Sequence, residues 1–491
     1  MHTAWLASTT GHPEDKVQLE FYNTLTRRKE PFVPVVAGHV GIYMCGPTVY
    51  SDPHLGHARG PVVFDVLRRW LEYGGLSVRF VTNVTDVGHL VDDSDDGEDK
   101  LAKRAQIEKL EPMEVAEKYF WAYFDAMAQM NVRRPSIVPR ATGHIIEQQE
   151  LTQQLIDRGV AYEKDGSVYF DVSAWDAYGK LSGRDPSEQV EGTRVEVRAD
   201  KDDPRDFALW KLAEDGHIMR WPSPWGDGFP GWHIECTAMS TKYLGDEFDI
   251  HGGGLDLVFP HHEAEIAQAE AAGKGFARYW LHWNMITLAG EKMAKSKNHF
   301  IPLEQLFERY DPLVVRFHLL RSHYRSVSDF SEEGLLSSAQ GLKRLRETYR
   351  NAQHGLDEGV EPDHAPFQEY RDRFAAAMND DLNTPQAIAA LFDASRAVNR
   401  ALEEGASAAY RAGTVALFDD LQTGVLGVPA TEDGVHDALA TVEGLVEMVL
   451  AERQRARARR DFATSDELRD RLTELGVSIE DTPQGSRWKL D

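Results

Sequence analysis

Between positions 40 and 88 the spacing of apolar residues changes period twice. VGIYMCG (40–46) is a nearly continuous apolar run. GHARGPVVFDVLRRWLEYGG (56–75) repeats its apolar positions at helical spacing and closes on two glycines, and SVRFVTNVTDVG (77–88) alternates. These patterns predict a buried strand, a helix and a second strand. In that order they build a parallel β-α-β unit, with a ligand site expected where the first strand hands over to its helix.

Residues 100–158 carry helical periodicity, and SVYFDVSAW (167–175), in a polar, glycine-punctuated neighbourhood, predicts a small β-rich insertion ending near 205. Strand-like runs return in DFALWK (206–211), EFDIHGGG (247–254) and YWLHWNMITLAGEKMAKSKN (279–298), which suggest the second half of the parallel sheet. Beyond about 310 the period is helical, as in FAAAMNDDLNTPQAIAALFDASRAVNRALEE (374–404), with QHGLDEGVEPDHAP (353–366) as a linker.

Composition narrows the class. The chain has 491 residues, enough for roughly three domains, and its 42% hydrophobic and 27% charged residues without a low-complexity tract are those of a folded globular protein. No apolar run reaches the length of about 18 residues needed to cross a bilayer, and MHTAWLASTTGHPEDK lacks the basic start and long apolar core of a signal peptide. A cytoplasmic protein without membrane contact is expected. The net charge of −26 excludes a protein that coats nucleic acid non-specifically, while leaving local basic patches free to act.

Two cysteines cannot build a disulfide framework; in a reducing compartment Cys45 and Cys236 are buried thiols, metal ligands or reactive groups. His54 and His57, in HLGH, fall on one face of a first helical turn, where an anion such as phosphate is the natural guest. His261 and Glu265 are spaced i, i+4 in a stretch expected to start a helix at Pro260, and with the two cysteines they would form a two-sulfur, one-nitrogen, one-oxygen set suited to zinc. Taken singly, each cysteine is equally at home as a small hydrophobe and the His–Glu pair as a surface contact. HHEAEI is not a zinc-protease motif, because Ile266 stands three positions after Glu263. KMAKS (292–296) could bring ammonium groups onto a polyphosphate. The acidic run DDSDDGED (92–99) is no calcium loop, since its twelfth position is Lys103. Arginines cluster in RQRARARRDFATSDELRDRL (453–472), with Trp488 near the chain end; on a helix they could hold phosphates while an indole stacks an unpaired base.

Together these segments resemble a known family. HLGH and KMAKS are similar to the HIGH and KMSKS signatures of class I aminoacyl-tRNA synthetases, and MCGPTVY, NVTDVG, DFALWK, GWHIEC, HGGGLDLVFPHHE, MNDDLNTPQA and RDFATSDELRDRL resemble, in order, segments of the cysteinyl-tRNA synthetase family. The resemblance implies an α/β fold with a Rossmann-type catalytic domain. Its expected parts are an N-terminal leader (1–19), a first half (20–140), an inserted connective domain (141–205), a second half with the KMAKS loop (206–310), a helical stem-contact region and linker (311–366) and a helical anticodon-binding domain (367–491).

It implies ATP-dependent activation of L-cysteine to the adenylate and transfer to tRNA(Cys), by a monomer holding one zinc ion, with Mg²⁺ accompanying ATP. Cys45, Cys236, His261 and Glu265 would hold zinc; Gly46, Thr85 and Trp232 would line the cysteine pocket; His54, His57, Gly252, Gly253, Gly254, Asp256 and Lys295 would bind ATP; and His54, His57, Lys292 and Lys295 would be catalytic. Arg455, Arg459 and Trp488 would contact tRNA. Ala294 departs from the signature serine but leaves both lysines. Two other outcomes fit parts of the pattern: a cysteine ligase of mycothiol synthesis, which would need no anticodon-reading domain, and a non-catalytic relative that binds tRNA or cysteine.

Overall fold

The computed structural model describes residues 18–87, 100–184, 201–214, 217–288, 290–292, 300–431, 435–482 and 485–490. The leader up to residue 17, the acidic run 92–99, and Ala294 and Lys295 lie outside the described residues.

A four-stranded parallel sheet forms from Phe276–Trp283, Glu247–Gly254, His39–Met44 and Ser77–Thr82, in that spatial order. The central strands are almost wholly buried, which is why they read as apolar runs rather than alternations. From His39–Met44 the chain crosses through the helix Leu55–Tyr73 to Ser77–Thr82 on one side, and much later adds Glu247–Gly254 on the other. Strand order therefore reverses at His39–Met44, and the crevice beyond the carboxyl ends of these strands is where a ligand is expected. Parallel bridges from Val81 to Ile137 and from Val84 to Arg140 extend the sheet edge.

One strand departs from expectation. Phe207–Leu212, grouped by its pattern with the parallel sheet, pairs instead with Ser167–Phe170 and Gly228–Pro230 in an antiparallel sheet completed by Ala161–Lys164. Both Leu209 and Trp210, consecutive in the strand, are buried in the same core as Val168 and Phe170, so an apolar run alone could not distinguish the two sheets.

Two compact units divide the chain, residues 1–430 and 431–491. In the first, one core runs from the sheet and Leu55–Tyr73 into the helices Pro312–Leu320, Glu332–Gln353, Gln368–Asn379, Thr384–Glu403 and Ala408–Phe418. Asp65 joins them electrostatically: its Oδ2 accepts from Arg69 Nε at 2.7 Å and from Arg316 Nη2 at 2.6 Å. The second unit packs Val435–Ala458 against Phe462–Glu474 and ends in a hairpin, Val477–Thr482 with Gly485–Leu490. The helical reading of this end missed the hairpin, because VSIEDT and GSRWKL are too short for helical periodicity to test.

Candidate active site

A cavity of about 460 Å³ opens at the strand-order reversal. Its lining includes Cys45, Gly46, His54, His57, Thr85, Trp232, Cys236, Gly254, Asp256 and His261. Segments separated by two hundred residues meet here because the strands carrying them are neighbours in the sheet; Cys45 N–H donates to Gly252 O at 2.9 Å.

At one end lie the four sulfur, nitrogen and oxygen donors. One ligand atom each from Cys45, Cys236, His261 and Glu265 falls within 4.8 Å of the others, and all four residues are buried. Cys45 Sγ stands 3.8 Å from Cys236 Sγ and 3.4 Å from Glu265 Oε1, and His261 Nε2 stands 3.1 Å from the same Oε1. The regular helix begins at Glu263 rather than Pro260, after an irregular turn through His261, yet the i, i+4 approach survives. Burial pushes the Cys45 thiol well above its ordinary pKa, with Cys236 and Glu265 adding to the effect, and burial also raises Cys236. Two thiols that resist ionisation beside a buried carboxylate are reconciled by a cation, and soft sulfur with imidazole and carboxylate suits zinc.

Further histidines surround this set, and sequence reasoning did not single them out. His251 pairs with Glu265 Oε2 at 2.8 Å, and His262 Nε2 lies 3.3 Å from Cys45 Sγ. His262 Nδ1 contacts His282 Nε2 at 2.7 Å, and His233 Nδ1 contacts His261 Nδ1 at 2.9 Å. Cys45, His251, His262 and Glu265 form an alternative, overlapping donor cluster. Burial, aided by His251, drives His282 down to about 3, and burial, with the surrounding histidines, holds His262 well below its usual value. Both shifts favour the neutral ring, the form in which an imidazole such as His262 can serve as a metal ligand. The doubled histidine in HHE and the second histidine-bearing segment GWHIEC were the available signals.

The cavity's middle is shaped by close packing. Gly46 N–H donates to Asn83 Oδ1 at 2.6 Å, and a Cβ on Gly46 would stand 1.7 Å from Asn83 O. Asn83 Nδ2 donates to Thr85 Oγ1 at 3.2 Å, and Thr85 donates to Glu235 Oε2 at 2.9 Å. The Trp232 ring stacks on His261, centroids 4.3 Å apart. Asn83 and Glu235 thus join the site although neither was singled out.

Also on the cavity wall, His54 caps the helix Leu55–Tyr73. Its Nδ1 accepts from Gly56 N–H at 3.1 Å, and His57 Nδ1 accepts from His54 N–H at 3.3 Å. With Nδ1 accepting, each neutral ring carries its proton on Nε2, so each offers a donor there. The rings stack with centroids 3.7 Å apart. The chain after KMAKS is tied to this turn: Leu55 N–H donates to Ile301 O, and Leu303 N–H to Pro53 O, both at 3.0 Å. Before the motif, Lys292 pairs by backbone with Thr287.

Of the three glycines in HGGG, Gly254 lines the cavity, where a Cβ would meet Asp256 Oδ1 at 2.5 Å. Gly252 and Gly253 are not among the lining residues: a Cβ would run into the Phe64 and His262 rings respectively, so both are required for packing. In the second unit, Arg455 and Arg459 are exposed and pair with Glu452 at 3.1 and 3.3 Å. Trp488 packs beside Val446, Leu450, Leu472 and Val477 and remains half-buried.

Residues 31–340 match the class I (C) tRNA synthetase catalytic domain, 373–431 the DALR domain, and 443–488 the cysteinyl-tRNA ligase anticodon-binding domain. A cysteine–tRNA ligase of Thermus thermophilus is 56% identical over 96% of this chain and 99% of its own length. That of Deinococcus radiodurans is 53% identical over 98% of both. The solved methionyl-tRNA synthetase of Mycobacterium tuberculosis with methionyl-adenylate has a TM-score of 0.60 at 16% identity, covering 80% of this chain and 92% of that one, and shares the fold. With a catalytic-domain match over most of its length and relatives more than half identical nearly end to end, the chain belongs to the cysteine–tRNA ligase family of class I synthetases.

Proposed function

We propose that the chain condenses L-cysteine with ATP to cysteinyl-adenylate and pyrophosphate, then passes the cysteinyl group to the terminal ribose of tRNA(Cys), acting as a cytoplasmic monomer. The buried donor set, whose Cys45, Cys236 and His261 line the same cavity as His54 and His57 of the HLGH helix start, carries this reading.

Cys45, Cys236, His261 and Glu265 would hold one zinc ion, which supplies a thiophilic Lewis acid for the substrate's side chain. Trp232, fixed on His261, packs beside that side chain, and Gly46 and Thr85 offer backbone and hydroxyl contacts at mid-cavity. This arrangement holds the carboxylate toward the nucleotide end. His54 and His57 donate from Nε2 to phosphate oxygens, Asp256 accepts from the ribose, and Lys292 and Lys295 balance charge that builds on pyrophosphate, to which Mg²⁺ arriving with ATP would add its own positive charge. The nucleophile is already ionised, so positioning and electrostatics suffice. Arg455, Arg459 and Trp488 are candidates for reading tRNA, and the anticodon-domain match favours tRNA over an amino sugar as acceptor.

The test is ATP–pyrophosphate exchange with cysteine or serine, before and after chelation, followed by charging of tRNA(Cys). Exchange that needs both cysteine and metal, with charging, is expected. Exchange without charging would point to another acceptor, and no exchange at all would leave a binding relative.

A further inference from the structure

Arg59 sits two residues beyond His57 and is 1% exposed. Its guanidinium forks across two segments: Nη1 donates to Asn284 O at 3.0 Å and Met285 O at 2.9 Å, while Nη2 donates to His323 O at 2.9 Å and Ser326 O at 2.7 Å. Asn284, Met285 and Ile286 line the cavity together with His54 and His57, and Ile286–Leu288 pairs onward with Glu291–Lys292. The turn at 323–326 is bound to the same wall: Asn284 N–H donates to Tyr324 O at 2.8 Å, and Asn284 Nδ2 to Arg325 O at 3.0 Å.

The same turn is also held by Asp381, in the MNDDLNTPQA motif, which the site has not used. It is fully buried and backbone-strained at φ 58°. Its carboxylate accepts from Tyr324 Oη and Arg325 Nε, each at 2.6 Å, and from Tyr22 N–H at 2.9 Å, and its carbonyl contacts His323 Nε2 at 3.0 Å.

We propose that Arg59 and Asp381 are positioning residues for the nucleotide side of the reaction: together they grip the 323–326 turn, Arg59 by its carbonyls and Asp381 by its side chains, and through it set the Asn284–Ile286 wall against the HLGH helix. The inference rests on the reading that this cavity binds ATP. None of Cys45, Cys236, His261 and Glu265 lies on the gripped segments, so the grip acts on one end of the cavity. Arg59's partners are neutral acceptors, and burial alone brings its pKa down to about 10. A lysine would retain the charge but lose the planar fork that reaches four carbonyls.

The experiment compares the zinc-loaded full chain with its Arg59→Lys and Asp381→Asn variants. Wild-type cysteine-dependent exchange first establishes the underlying reading. In Arg59→Lys, the KM for ATP is expected to rise and kcat to fall by about tenfold each, as displacement of a positioning wall implies. The change in Asp381→Asn runs in the same direction but is smaller. Cysteine affinity measured by calorimetry without ATP stays within about twofold for both, and the double variant loses less than the product of the single effects. Wild-type ATP kinetics in Arg59→Lys would overturn the proposal, as would cysteine affinity falling in step with exchange, or independent effects in the double variant. Should Arg59→Lys not fold, Asp381→Asn decides by the same split.

Discussion

Replacing Cys236 by serine removes one sulfur donor from a site with no slack. Cys236 is 1% exposed and its sulfur is 3.8 Å from that of Cys45, so the smaller hydroxyl would sit in the same enclosed place but could not ionise there. Zinc bound by four protein donors gains about 10–16 kcal/mol, or roughly 2.5–4 kcal/mol per donor if shared equally. At about 1.4 kcal/mol per decade, losing one donor weakens metal affinity about 10²- to 10³-fold. Competition against a chromophoric chelator measures this directly, and pyrophosphate exchange with cysteine and serine measures its consequence. The variant is expected to lose zinc, and with it the preference for cysteine, while urea denaturation of the metal-free forms shows little difference. Wild-type zinc affinity in Cys236→Ser would refute the assignment of this donor set. So would retained zinc-dependent preference for cysteine.

Gly46→Ala would push a Cβ to 1.7 Å from Asn83 O; chemical denaturation should show a loss of about 3 kcal/mol, with cysteine exchange falling as Asn83 and Thr85 shift. Burial alone would raise the pKa of Asp65, but Arg316 and Arg69 outweigh it and hold the carboxyl below its usual value. Its stabilisation is therefore present above the unfolded pKa and is lost as pH falls through the lower folded one. Asp65→Asn should cost about 3 kcal/mol at pH 7 by urea denaturation, and the deficit should shrink only below about pH 4. Arg455→Gln with Arg459→Gln should raise the KM for tRNA several-fold and reduce the slope of log KM against log salt by about 0.9 for each phosphate the arginines had neutralised; an unchanged slope would remove both from the tRNA interface.

How much of this could be read from the chain differs from one element to the next. The strand ending at Met44 and the helix opened by His54 were legible because burial and capping are local, and the ligand crevice followed from strand order. The cluster that could hold a metal was legible only as a set: nothing local distinguishes Cys236 from a packing thiol until the fold brings Cys45 beside it. The pairing of Phe207–Leu212 was not legible, since both available sheets bury it. A second reason for Gly252 and Gly253, room for neighbouring rings, was not legible either. A glycine cleared for a ligand and one cleared for the Phe64 or His262 ring look identical in sequence, because the clash that forbids a side chain comes from distant residues. Arg59 and Asp381 were invisible as partners, since the turn that links them is held through backbone carbonyls as well as side chains.

With a cation held by the donor cluster, as proposed, the electrostatics there would also bear on how cysteine is chosen. Burial favours the neutral form of the groups around it: it raises Cys45 and Cys236 and depresses His262 and His282. A cation bound among the four donors would reverse this preference for the thiols, and its effect would be strong because the donors are buried where water screens it little. An incoming side chain meets the same conditions. A thiol can shed its proton there and gain a charge-bearing ligand bond; a serine hydroxyl cannot, and alanine has no donor to offer. Discrimination then rests on one functional group rather than on a methylene's worth of packing, the case in which a single sieve can reach about 10⁴-fold or more. Selectivity should therefore collapse when the cation is removed, even though the pocket's shape, set by Trp232 on His261 and by Gly46 against Asn83, would remain. If serine were still rejected in the metal-free enzyme as strongly as in the loaded one, shape would be the selector and this account would fail.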